Sequence, residues 1–318
     1  LGRGRRRYET SAEAYDIYLR ARAQKRRGQG GDGRGIRSFQ EAIAKDPSFA
    51  PAYAGLAATH ATRSGYDQTD RADEMSKMRA AAEKAIQLDP LLAEAHDALG
   101  MGYSRDAQWE RSETSFRRAI ELDPGRSESR GHFALFLLLP LGRIEEALDQ
   151  LRIAEKADPL SPQVHYDLAY VLLSAGRYDE AASQCEKQPP DHPGKRESLG
   201  RARLGQGRIG EAIQIFEAAT NPSDQPLLPV WGYLGHAYAR AGRREEAEKL
   251  AAAAPSRPFN QALTYAGLGD KDRTLEALDR MTTLGPFRIG RALTFPEFAL
   301  IRGDPRVKAL RKKVGLPQ

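Results

Sequence analysis

Apolar residues along this chain fall at i, i+3, i+4 and i+7 in successive short segments, the spacing of one helix face. Four of the segments close on nearly the same words: Ala42-Ile43-Ala44-Lys45-Asp46-Pro47, Ala85-Ile86-Gln87-Leu88-Asp89-Pro90, Ala119-Ile120-Glu121-Leu122-Asp123-Pro124 and Ala154-Glu155-Lys156-Ala157-Asp158-Pro159. The prolines recur at about 34 residues, with one longer interval between Pro47 and Pro90, and Pro193 continues the series. A second phrase falls between them: Gly142-Arg143-Ile144-Glu145-Glu146-Ala147, Gly176-Arg177-Tyr178-Asp179-Glu180-Ala181, Gly207-Arg208-Ile209-Gly210-Glu211-Ala212 and Gly242-Arg243-Arg244-Glu245-Glu246-Ala247. A residue before proline is pushed out of the α region, so each Asp-Pro step ends a helix. Each Gly permits the left-handed residue that closes the preceding helix. Ala147, Ala181, Ala212 and Ala247 let two helices approach closely. Each unit is therefore a helix pair, and since none can bury its apolar face alone, neighbours must stack.

An aromatic, then Leu-Gly, then Tyr, then a small residue stand as Trp231, Leu234-Gly235, Tyr238 and Ala247. A second copy reads Leu99-Gly100, Tyr103, Phe116, Ala119 and Pro124. In these positions the chain resembles the tetratricopeptide repeat family. The resemblance implies an all-α fold, a right-handed α-solenoid of stacked helix-turn-helix repeats. It runs from Ala14 to about Leu284 and divides into about eight units, some degraded. In the third unit, Leu99, Tyr103, Phe116 and Ala119 are expected to form one internal stripe. The eighth carries Thr274 where the small Ala is expected, and residues 285–318, with Asp304-Pro305-Arg306 and Leu310, read as a terminal cap.

A narrower likeness lies in Tyr8-Glu9-Thr10, Ala14-Tyr15-Asp16-Ile17-Tyr18-Leu19-Arg20 and Arg302-Gly303-Asp304-Pro305-Arg306. These resemble the repeat region of bacterial multi-domain regulators, in which the repeats follow a winged-helix, Ser/Thr kinase or cyclase domain. The sequence opens on Leu1 rather than Met, which suggests a piece of a longer protein.

Composition narrows the function classes. With 40% apolar and 29% charged residues the chain is neither membrane-embedded nor disordered. Its longest apolar run, Phe133 to Leu141, is too short to span a bilayer and is broken by Pro140. A single cysteine, Cys185, allows no intrachain disulfide and fits a reducing, cytoplasmic compartment. A periplasmic placement stays open if a transmembrane segment precedes Leu1. The net charge is +6, but residues 1–37 alone hold ten Arg and one Lys against four acids. The excess is local, and residues 1–13 read as a basic linker or tail. Its run Arg3-Gly4-Arg5-Arg6-Arg7 is the alternative function: a nucleic-acid-associated arm contacting phosphates.

Candidate chemistry is sparse. Gly28 to Gly33 and Gly205 to Gly210 match a dinucleotide pattern, yet no strand precedes either, and the second falls on a helix–helix turn. His60, His96, His132, His165, His192 and His236 are spread through the units, without a pair at i, i+4, so no metal is expected. His96 and His165 occupy a repeat position that usually holds an aromatic packing residue. The carboxylate pairs Glu145-Glu146, Asp179-Glu180 and Glu245-Glu246 recur at helix starts, where negative charge favours the dipole rather than acid–base chemistry. Cys185 falls at a core position, and no enzyme activity or cofactor is expected.

Tetratricopeptide arrays bind in the groove lined by their first helices. Carrying that register across gives Asp97, Met101 and Arg105, then His132 and Phe136, Tyr166 and Tyr170, Arg201 and Leu204, and His236 and Arg240. Partly exposed Met, Phe and Tyr beside Arg suit an acidic or amphipathic peptide. The expected partner is another protein or peptide, with no small-molecule substrate. The carboxylate clamp of this family uses paired Asn; this chain has only Asn221 and Asn260, neither at a groove position, so that mode is not expected.

Overall fold

A computed structural model of the chain describes residues 8–26, 34–64, 71–220, 230–253 and 255–317. Helices follow one another in pairs: α1 (Ala12–Arg26) and α2 (Arg34–Lys45), α3 (Ala50–Arg63) and α4 (Arg71–Leu88), α5 (Ala93–Arg105) and α6 (Trp109–Leu122). Next come α7 (Ser127–His132) with α8 (Ile144–Ala157), α9 (Pro162–Ser174) with α10 (Tyr178–Glu186), and α11 (Lys195–Gly205) with α12 (Ile209–Ala219). The last pairs are α13 (Val230–Arg240) with α14 (Arg244–Ala253) and α15 (Pro258–Gly267) with α16 (Lys271–Arg280). Then follow α17 (Pro286–Thr294), a 3-10 segment Pro296–Ile301 and α18 (Pro305–Lys313). No strand occurs among the described residues, and the fold is the expected all-α stack of helix pairs. It forms two compact units, one built on α1–α6 and the other on α7–α18 together with Arg105–Ala107.

The turns are made as the sequence phrases require. Gly142, Gly176, Gly207 and Gly242 have φ between +72° and +78°. At Gly176 the Arg177 N–H donates back to the Leu172 carbonyl (2.9 Å), and Arg208 and Arg243 repeat this bond to Arg203 and Tyr238. These are Schellman closures, which satisfy carbonyls orphaned at the helix end. In the third pair Ala107 takes the glycine's place, at φ +56°. At two of the Asp-Pro steps the Asp does more than precede proline. Asp46 Oδ1 accepts from the Ser48 N–H (2.9 Å) and Asp89 Oδ1 from the Leu91 N–H (3.0 Å), Asx turns that fix the exit from the helix.

Packing within pairs relies on small residues meeting rings. A Cβ on Gly200 would stand 2.3 Å from the Phe216 ring, so α11 and α12 meet there only because position 200 is glycine. Ala147, Ala181, Ala212 and Ala247 are fully buried, and so is Thr274, whose hydroxyl donates to the Asp270 carbonyl (2.6 Å). The internal stripe of the third pair is narrower than expected. Phe116 and Ala119 are fully buried, but Leu99 and Tyr103 are half-buried, and the Tyr103 ring instead lies under Arg111 (4.1 Å).

In the first unit, Ile17, Tyr18, Phe39 and Phe49 form the core beneath α1–α3, and the Tyr8 hydroxyl donates to Asp89. In the second unit, Phe133–Leu138 continues α7 as a π-helical segment, with the Leu139 N–H donating to Ala134 O (2.9 Å). Its wider turn changes the facing of the residues that follow. At the far end, α18 is capped by Asp304, which accepts from the Arg306 N–H (2.9 Å). It is tied to α16 by Arg306–Asp272 (2.8 Å) and Lys313–Asp279 (2.7 Å). No helix among the described residues is long and apolar enough to cross a membrane.

Candidate functional site

The groove candidates of the second unit converge on one feature absent from the sequence reading. Residues 286–301 lie against the first helices α9, α11 and α15 and the π-helical segment. Phe287 stacks on Phe136 (4.9 Å between centroids, 18° between planes), and α17 comes so near the turn that follows the π-helical segment that a Cβ on Gly290 would stand 2.6 Å from Pro140 O. Farther along, Phe295 meets Tyr170 (5.7 Å) and Phe259 (6.1 Å), and Phe298 meets Phe259 (6.2 Å).

Arg201 is the centre of this contact. Its side chain is 1% exposed, and its guanidinium stands over Phe295 (4.4 Å), Tyr233 (4.7 Å) and Tyr170 (5.4 Å). Arg201 Nε donates to Glu297 Oε1 at 2.9 Å and Nη2 to Oε2 at 3.4 Å. Two further arginines stack likewise: Arg291 over Tyr170 (4.3 Å) and Phe287 (5.1 Å), and Arg105 over Phe287 (4.3 Å) and Phe136 (5.3 Å). Planar guanidinium between rings, with its edge free for a carboxylate, is the geometry for which Arg and not Lys is suited.

Burial dominates the electrostatics. It would raise the Glu297 carboxyl, but the Arg201 charge and hydrogen bond outweigh it and hold Glu297 below the ordinary carboxylate range. Glu197, one turn before Arg201, is raised by burial against the pull of Arg201 and Arg291. Asp167 on α9 is pushed up to about 7 by burial, opposed by a hydrogen bond from Gln163 (2.7 Å) and by the charges of His132 and Arg291. His236 Nδ1 lies 3.0 Å from the Leu263 carbonyl, and burial holds its imidazole below the usual value.

The candidates are therefore less accessible than expected. Asp97, Met101, Arg105, Tyr170, Arg201, Leu204 and His236 are buried, and His132, Phe136 and Tyr166 are half-buried; Arg240 is exposed. In the second unit the cause is the seated segment: Phe287 covers Arg105 and Phe136, Phe295 covers Tyr170, and Phe295 with Glu297 covers Arg201. The site residues missing from the sequence reading are Phe287, Arg291, Phe295, Glu297 and Phe298. Their one signal was density, since three of the chain's ten Phe fall between 287 and 298.

The other motifs take structural places. His96 Nε2 and His165 Nε2 each lie 3.0 Å from the carbonyl of the proline six residues earlier, Pro90 and Pro159. They fasten the first turn of a helix to the Asp-Pro step, rather than packing as an aromatic ring would. His60 Nδ1 lies 2.6 Å from buried Glu74, which also accepts from Arg63 Nε (2.9 Å). Glu146, Glu180, Glu211 and Glu246 pair with Arg143, Arg177, Arg208 and Arg243, each three residues earlier at the helix N-cap. The Cys185 thiol is fully buried and pushed up to about 12, which removes thiolate reactivity at neutral pH. The second glycine motif, Gly205–Gly210, spans the α11–α12 turn. The basic run Arg3–Arg7, the motif Gly28–Gly33 and Asn221 lie outside the described residues.

Helix pairs closed by Gly and Asp-Pro and stacked in series define an α-helical repeat protein. Tetratricopeptide repeat models match residues 95–128 and 137–195. Over these residues the chain carries tetratricopeptide repeats, and its fold is that of tetratricopeptide repeat proteins. Among solved structures, a human IFIT1 dimer with PPP-AAAA is similar at TM-score 0.60 and 14% identity, over 95% of this chain and 70% of that one. A tetratricopeptide repeat protein from Parabacteroides merdae is similar at TM-score 0.53 and 14% identity, over 75% of this chain and 98% of that one. These likenesses are of fold alone. No curated protein matches the sequence. Tetratricopeptide repeat proteins are in general non-catalytic scaffolds for protein interaction.

Proposed function

We propose that this chain is a non-catalytic scaffold that holds a protein or peptide segment on the first helices of its second unit. Its place would be the docking or regulatory half of a bacterial signalling or transcription regulator, which the opening and closing residues resemble. The observation that carries the reading is the manner in which residues 286–301 are held: rings on rings, guanidinium between rings and one buried ion pair. These are the features of peptide-recognition hot spots, rich in Tyr and Arg and shielded from water. Phe136, Tyr170, Arg201 and His236 are the contacts we assign to this surface, with Arg240 at its exposed rim. An acidic, amphipathic segment suits them.

A peptide-display selection on the immobilised full chain tests the reading. The expected result is a family of related peptides that bind saturably at one per chain. A selection that enriches nothing, or turnover of a substrate by the purified chain, contradicts it.

A further inference from the structure

We propose that residues 286–301 are a displaceable self-ligand, and that the face beneath them receives in their place a partner segment carrying a carboxylate flanked by aromatic residues. This rests on the scaffold reading and adds to it the chemistry of the partner and the gate it must pass.

Three observations carry it. The segment stands outside the helix-pair pattern: a nine-residue helix and a 3-10 turn, entered through Gly285 at φ +89° and left through Gly303. It is thus linked at both ends by residues that let it leave without unfolding α16 or α18.

The one ion pair in its attachment is of the kind that gives register rather than cohesion. Arg201 is buried and the Glu297 side chain is only 11% exposed, and the ion pair spans 96 residues of sequence. Desolvation of two such charges consumes most of their attraction, so a buried pair specifies one partner geometry while adding little net stability. Phe295 and Phe298 flank Glu297, and their rings meet Tyr170 and Phe259.

The fit is also incomplete. Arg201 Nη1 and the Tyr233 hydroxyl are both buried beside this contact and have no hydrogen-bond partner among the described residues. A buried donor left unmatched is costly. A segment that offers a second acceptor beside its carboxylate satisfies what Glu297 alone leaves open, and so can outcompete the self-ligand.

The test uses the full chain and a fluorescein-labelled peptide of residues 288–302. In the variant F295A/E297A the self-ligand loses its ring and its carboxylate, and the peptide is expected to bind at least tenfold more tightly than to the unaltered chain. The same peptide with Glu297→Gln should lose at least tenfold, as should the labelled peptide on F295A/E297A/R201A. A helical, cooperatively melting F295A/E297A chain that does not bind the peptide overturns the proposal. Should that variant not fold, hydrogen exchange on the unaltered chain decides. Amides of 286–301 exchanging at least tenfold faster than those of α9 and α11 sustain the proposal, and equal protection overturns it. A successful display selection beside equal protection would leave the scaffold reading standing and remove only the self-ligand; a failed selection removes the scaffold reading itself.

Discussion

At Gly176 the backbone takes φ +72°, and nothing lies within 4 Å of where a Cβ would stand. A side chain there meets no neighbour, only its own backbone, so Gly176→Ala should lower stability by ~1 kcal/mol in chemical denaturation. Ala107 holds the same turn at φ +56° with the Cβ in place. Ala107→Gly should therefore stabilise, by up to ~1 kcal/mol, and a loss would show that the Ala107 methyl packs usefully. Such turns were legible in the sequence because their cause is local: Gly and Asp-Pro act on the few residues around them. Tyr103 was not, because its helical position is that of a core residue while a nearby Arg111 offers its ring and hydroxyl a better place (2.7 Å to the hydroxyl).

Asp167 gives a residue-scale pH dependence. Its folded value of about 7 lies above the ordinary 3.8, so the folded state binds a proton that the unfolded state has released. Stability attributable to this carboxyl is therefore present at low pH and lost as pH rises from about 4 to about 7. Asp167→Asn should flatten that slope and raise stability at pH 8 by roughly 2–4 kcal/mol, read from denaturation midpoints across the range. An unchanged slope would place the titration elsewhere.

Among the elements, the segment 286–301 contributes most to the site and was the least legible. Its contacts reach back across the chain, Phe287 to Phe136 and Glu297 to Arg201, and repeat periodicity carries no information on such pairings. The π-helical turn at Phe133–Leu138 compounds this, since it alters the phase by which a helix face is read from sequence. The groove register nevertheless chose Phe136, Tyr170, Arg201 and His236, all of which lie at or beside the segment, but it expected a partly exposed groove open to a partner. Breaking the ion pair from one side should be severe: Arg201→Ala leaves Glu297 buried without its cation and should cost about 3–5 kcal/mol. Replacing both, as R201M/E297L, should cost far less than the sum of the single changes, because no charge is then stranded. Additive losses in that cycle would mean that Arg201 acts through its ring contacts and not through Glu297.

For the molecule as a whole, the stacked-pair fold was readable because one short phrase recurs with the same consequence each time. The break into two compact units was not, since the Asp123-Pro124 step beside it reads like the Asp-Pro steps inside each unit. On the reading proposed above, what the molecule binds depends on the surface its first helices present, and that surface is shaped by which side chains the chain itself covers. The central claim is that binding occurs on the second unit's first helices, around Arg201. Hydrogen exchange of the full chain, with and without a display-selected peptide at saturation, tests this most directly. The account predicts slowed exchange in α9, α11 and α13 together with faster exchange in 286–301; protection confined to the second helices α10, α12 and α14 would contradict it.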